Sequence, residues 1–162
     1  MTRYAESTTV SSEKSRGEIE KTLTRYGADQ FMYGWKDGAA VVAFRAQGRH
    51  IRFMLPMPDR NDDRFKYTNH TNQWARKRLT DAAQAEKYEQ AVRQLWRALA
   101  LCIKAKLEAV EAGITTFEDE FMAQIILPNG ESMSEHARPL IARAYATGQM
   151  PPLLPYLGGG NA

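Results

Sequence analysis

Between Asp81 and Ala112 apolar side chains return at steps of three and four: Tyr88, Val92, Leu95, Trp96, Leu99, Ile103, Leu107 and Val110. That spacing puts them on one face of a helix. Thr80 offers a hydroxyl to cap its start, and Gly113 can take the left-handed conformation that ends it. A helix of that length would run about 48 Å, longer than a small domain is wide. The pattern therefore makes this stretch the spine against which the other elements pack.

Upstream, Ile19, Leu23 and Tyr26 form a short helical stripe over about residues 12–26, closed by Gly27. Ser15 followed by Glu18 forms a capping-box pattern, and Gly17 inside the helix is a cost that disappears if Ser15 is the true cap and the helix starts later. The period then changes to two. Phe31, Tyr33 and Trp35 alternate, as do Ala40, Val42, Phe44 and Ala46, and then Ile51, Phe53 and Leu55, with turns at Lys36-Asp37-Gly38 and Gln47-Gly48. These three runs predict an antiparallel meander with one face in the core and Val41, Arg45, His50 and Arg52 on the other. After the spine, Thr115 or Thr116 caps a short acidic helix bearing Phe117, Phe121 and Ile125. Ser132 with Glu135 opens a last helix that Gly148 ends, and Pro139 predicts a kink or a late start there. The fold class is α+β: a polar, frayed stretch at 1–10, one domain over 11–148, and an extended Pro/Gly-rich tail over 149–162.

Composition narrows the class. With 162 residues, 43% hydrophobic and 25% charged, the chain is ordinary for one globular domain. It has no apolar run long enough to span a membrane and no apolar signal-peptide region, and its single Cys102 allows no disulfide framework. These features predict a cytoplasmic protein. The net charge is only +3, but residues 45–106 hold fourteen Lys/Arg against six Asp/Glu, and residues 107–162 hold two against seven. A basic middle of +8 beside an acidic end of −5 has two explanations. It presents a field to a polyanion, or the two regions neutralise each other within a monomer or across a homodimer.

The candidate chemistry sits in residues 56–79, a connection with no period, where Arg64, Phe65, Lys66, Tyr67, His70, Trp74, Arg76, Lys77 and Arg78 interleave cations with aromatics. Such a mixture suits phosphates to hold and bases to stack. The plainer account is that Phe65, Tyr67 and Trp74 pin the loop to the core, and for Trp74 that is the commoner fate of so large a side chain. Arg93, Arg97 and Lys104 lie close together on the helical wheel at the edge of the spine's apolar face. The nucleic-acid-binding set that follows is Arg45, Arg52, Lys66, Tyr67, Trp74, Arg76, Lys77, Arg78, Arg93 and Arg97.

Enzyme motifs fail. Asp59 to Asp63 resembles a calcium loop, but Arg64 stands at its glycine position and His70 at its final glutamate. His50, His70 and His136 have no metal-helix spacing, and there is no phosphate loop or serine elbow. Glu118, Asp119 and Glu120 could supply carboxylates to the metal of a nuclease, although carboxylates in a first helical turn already complement the helix dipole. The residues lean against an enzyme, and they imply neither cofactor nor metal.

Four stretches carry a resemblance: SSEKSRGEIEKTLTRYGADQF at 11–31, VVAFRAQGRHIRFMLPMPD at 41–59, WRALALCIKAKLEAVEAGITTFEDEFMAQIILPNG at 96–130 and YATGQMPPLLP at 145–155. Together they resemble a family of small, functionally uncharacterised bacteriophage and prophage proteins. The resemblance implies a phage or prophage origin and brings no activity, cofactor or catalytic residue. The helix, three strands, helix order is also similar to a double-stranded-RNA-binding domain, although the long loop and the lack of a Lys-Lys-x-Ala-Lys helix start depart from it. The expected function is a non-enzymatic phage accessory protein that binds nucleic acid. The alternative is a protein-interaction module, acting on a host or phage protein or as an oligomer subunit.

Overall fold

A computed structural model describes residue 5 and residues 7–152; the end of the tail, Leu153 onward, lies outside the described residues. The elements follow the expected order: α1 (Ser12–Arg25), β1 (Asp29–Lys36), β2 (Ala39–Ala46), β3 (Arg49–Pro56), α2 (Asp63–Lys66), α3 (Asp81–Glu111), α4 (Phe117–Phe121) and α5 (Met133–Thr147). This is an α+β fold.

The strands form an antiparallel sheet in the order β1-β2-β3, with Tyr33 opposite Val42 and Val42 opposite Phe53. That register sends Tyr33, Val42, Phe44, Ile51, Phe53 and Leu55 to one face, where α1 and α3 cover them with Ile19, Leu23, Trp96, Leu99, Ile103 and Leu107. The two helices lie side by side and run the same way. The Gln90 side-chain amide donates to the Thr8 carbonyl, Arg97 to Glu18, and the Tyr26 hydroxyl to Glu108. Thr80 caps α3 by accepting from the Ala83 N–H, and its 31 residues run about 46 Å. Its first two turns extend beyond the sheet toward residues 57–80.

Two expectations about helix ends need correction. Ser11, not Ser15, caps α1, accepting from the Lys14 N–H, and Ser15 is buried inside the helix with its hydroxyl unpartnered. Gly17 therefore lies within α1, and its entropic cost is carried in full. Pro139 does not delay α5 either. Both arms of the Ser132–Glu135 capping box form, so the helix starts at Met133 and runs through the proline. The missing Pro139 N–H forfeits only its bond to the Glu135 carbonyl.

At the far end of α3, Phe117 and Phe121 close the core. Phe121 is completely buried, edge-on to Phe44 and Phe53 at 6.2 and 6.3 Å between ring centres. Ile125 and Ile126 then run along the β3 edge, the Ile126 N–H donating to the His50 carbonyl. α5 hangs from this corner with no fully buried residue.

Candidate functional site

The long connection after β3 is an ordered finger. Asp62 caps α2, which buries Phe65 edge-on against Tyr88 of α3 at 5.6 Å between ring centres. The Arg60 guanidinium lies 4.1 Å from the Tyr88 ring centre. The Lys87 ammonium donates to the Tyr67 carbonyl at 3.1 Å and to Asn69 Oδ1 at 3.3 Å, fixing the finger's root to the first turns of α3. Beyond the root two arms pair. The Leu79 N–H donates to the Lys66 carbonyl at 2.8 Å and the Thr68 N–H to the Lys77 carbonyl at 2.9 Å, with Tyr67 opposite Arg78. The Lys77 N–H adds a bond to Thr68 Oγ1 at 3.0 Å.

At the tip Asn72 closes a one-turn 3-10 helix, Gln73–Ala75, by accepting from the Trp74 N–H through its side chain at 3.0 Å and from the Ala75 N–H through its carbonyl at 3.1 Å. Arg76 Nε donates back to the His70 carbonyl at 3.2 Å. Trp74 is thereby held out on a hydrogen-bonded scaffold with 96% of its surface exposed. The expectation that Trp74 pins the loop to the core is overturned: Phe65 does the pinning, and Asn72 turns the tip away from the body.

The ten residues nominated from the sequence do not make one surface. Arg45, on β2, forms a two-point pair with Asp29 at 2.8 and 2.6 Å, and that pairing holds the Asp29 carboxyl below its usual value. Arg52, on β3, donates to the Gly130 carbonyl at 3.1 Å and to Glu135 at 2.7 Å. The Glu135 carboxyl is held down first by the Ser132 N–H, then by its hydroxyl, with Arg52 assisting. Arg93 is clasped by Glu86 and Gln90, and Arg97 by Glu18. Arg49 with Glu118 and Lys106 with Glu120 complete the pattern. Of these pairs only Arg49–Glu118, Arg52–Glu135 and Lys106–Glu120 join the basic middle to the acidic end, so the two regions neutralise each other within the monomer only in part. The acidic trio is equally engaged, since Asp119 accepts from the Thr116 hydroxyl at 2.6 Å. Among the described residues no group of three or more potential ligands is placed to hold a metal ion.

What the fold brings together is the finger: Lys66, Tyr67, Trp74, Arg76, Lys77 and Arg78. None of its four cations makes an ion pair with a described residue. Arg76 and Arg78 alternate with Lys77 along the return arm, so cations face both sides of it. An open groove of about 540 Å³ lies at its base, bounded by the start of α2 and by the finger's two arms. Sequence reading missed Asn69, Asn72 and Lys87, which set the shape of the site. The Asn72-x-Trp74 spacing was the available signal, because an Asn side chain commonly caps the N–H two residues on.

Comparison with protein-family models, with curated proteins and with solved structures finds no match to this chain.

Proposed function

We propose that this protein is a non-enzymatic nucleic-acid-binding protein that engages a single strand through the finger, with Lys66, Lys77 and Arg78 on phosphates, Arg76 beside them at the groove and Trp74 as a stacking platform. One observation carries the reading: an almost fully exposed tryptophan, on a tip shaped by backbone hydrogen bonds to Asn72, stands on the same finger as four cations that make no ion pair with a described residue. Exposing an indole forgoes its burial, worth roughly 4–6 kcal/mol, so the scaffold that holds it out favours a use for it. A base stacked on an aromatic ring returns about 1–3 kcal/mol and asks for no particular sequence. A single strand suits this geometry better than a duplex, because an unstacked base can reach the ring. In this reading the protein is an accessory factor, of the phage or prophage origin that the sequence resemblance implies. The test is direct titration of labelled oligonucleotides at several salt concentrations.

A protein-interaction reading has its own observation. The outer half of α5 exposes Ile141 and Tyr145 beside the half-buried Leu140, next to Arg138 and Arg143, which make no ion pair with a described residue. The α3–α4 corner presents Ile114 and Met122 beside Glu111. These patches match in polarity and oppose in charge, and a second copy of the chain is the occupant they fit, giving a homodimer.

A further inference from the structure

We infer that the groove at the root of the finger is a base pocket selective for guanine in a single strand; this rests on the nucleic-acid reading above. Charge decides which part of a nucleotide enters. The groove's lining balances Asp62 and Asp63 against Arg64 and Arg76, so it has no net pull on a phosphate, while Lys77 and Arg78 on the arm beside it attract one. The backbone therefore follows the arm, and the base turns into the groove.

The groups facing the groove then define the base. Asp62 is occupied by the Arg64 N–H and guanidinium, at 2.9 and 3.1 Å, but the Asp63 carboxylate has no partner among the described residues. A carboxylate is an acceptor with two oxygens, and both of Asp63's are available. Arg76 uses Nε on the His70 carbonyl, leaving its terminal nitrogens to donate. Asn69 accepts from Lys87 through Oδ1, which orients its amide and leaves the NH2 group to donate. Tyr67 supplies an aromatic wall. A carboxylate needs adjacent N–H donors, and guanine offers N1–H with its N2 amino group on one edge. Donors need adjacent acceptors, and guanine offers O6 with N7, the pair that arginine reads in DNA grooves. Adenine and uracil meet neither requirement, and cytosine lacks the adjacent donors. The volume, about 540 Å³, also accommodates a whole nucleotide.

The test is fluorescence anisotropy with a short labelled oligouridine and the same strand carrying one central guanosine, with deoxy counterparts in parallel. The guanosine strand is expected to bind about five- to a hundred-fold more tightly, as RNA or DNA, the span of one good two-point base contact. Asp63→Asn should abolish that preference. Loss of a negative charge would by itself strengthen polyanion binding, so weakening confined to the guanosine strand cannot be an electrostatic side effect. The Lys77→Ala/Arg78→Ala double variant should weaken both strands alike. Equal wild-type binding of both strands, or a preference that survives Asp63→Asn, would overturn the pocket while leaving the finger reading intact. Absence of binding to either strand would overturn both.

Discussion

Two tryptophans of one chain should respond in opposite ways to the same substitution. Trp96 is 4% exposed, edge-on to Tyr33 at 5.9 Å between ring centres, with the Arg16 guanidinium 5.4 Å from its ring. A buried indole removes about 150–250 Å² from water, worth roughly 4–6 kcal/mol at about 25 cal/mol per Å². Trp96→Ala is therefore expected to cost about 3–5 kcal/mol, since the site relaxes only partly around the cavity. At about 2–4 °C per kcal/mol for a chain of this size, the melting temperature should fall by roughly 6–20 °C. Trp74, at 96% exposed, has no apolar burial to lose, and its hydrogen bond to Asn72 uses the backbone N–H that alanine keeps. Trp74→Ala should stay within about 0.5 kcal/mol of wild type. Chemical denaturation followed by far-ultraviolet circular dichroism measures both without relying on the fluorophore removed. Loss of about 2 kcal/mol or more in Trp74→Ala would mean that the tip packs on the body, and the finger as described would be wrong.

Further expectations follow from the core, from a buried phenol and from α5. Phe121→Ala should destabilise by about 3–5 kcal/mol, because it deletes a fully buried ring against Phe44, Phe53 and Phe117; a near-native melting temperature would show that α4 does not close the core. Burial, with help from Glu20 and opposed by Arg16, pushes the Tyr33 phenol up to about 12 from an ordinary 10.0. The unfolded chain then ionises first, so the stability Tyr33 contributes is complete below about pH 10 and is lost as pH rises toward 12. Tyr33→Phe should flatten that alkaline decline in denaturant midpoints, and an unchanged slope would assign it to other groups. Sedimentation at micromolar concentration should show a dimer that Ile141→Asp dissociates; a wild-type species of 18.3 kDa alone would remove the homodimer.

The periodic elements were legible because burial imposes period. The α3 stripe returned Trp96, Leu99, Ile103 and Leu107 as buried residues, and the alternation in β2 and β3 gave the sheet face correctly. Caps were legible where one candidate stood alone, as with Thr80 and Ser132, and misread where Ser11 and Ser15 competed. There the choice depends on which start buries Ile19 and Leu23, a tertiary question. The finger was not legible as structure. It has no apolar period, and its shape comes from backbone pairing between residues 66–68 and 77–79 and from Asn72, Lys87 and Arg76 hydrogen bonds. Which cations stay unpaired was equally hidden, because Arg45–Asp29, Arg52–Glu135 and Arg97–Glu18 join residues 16 to 83 positions apart.

The central claim is that the finger holds a nucleic-acid strand, and the salt dependence of binding tests it most directly. Anisotropy titrations of a labelled single strand at two or more salt concentrations should give a log–log slope of roughly −2 to −3, from three or four phosphate contacts at about 0.7 each. The Arg76→Ala/Lys77→Ala/Arg78→Ala variant should weaken binding to every sequence and make the slope shallower by about 1–2. Binding with the wild-type slope in that variant, or no binding to DNA or RNA at low salt, would contradict the account.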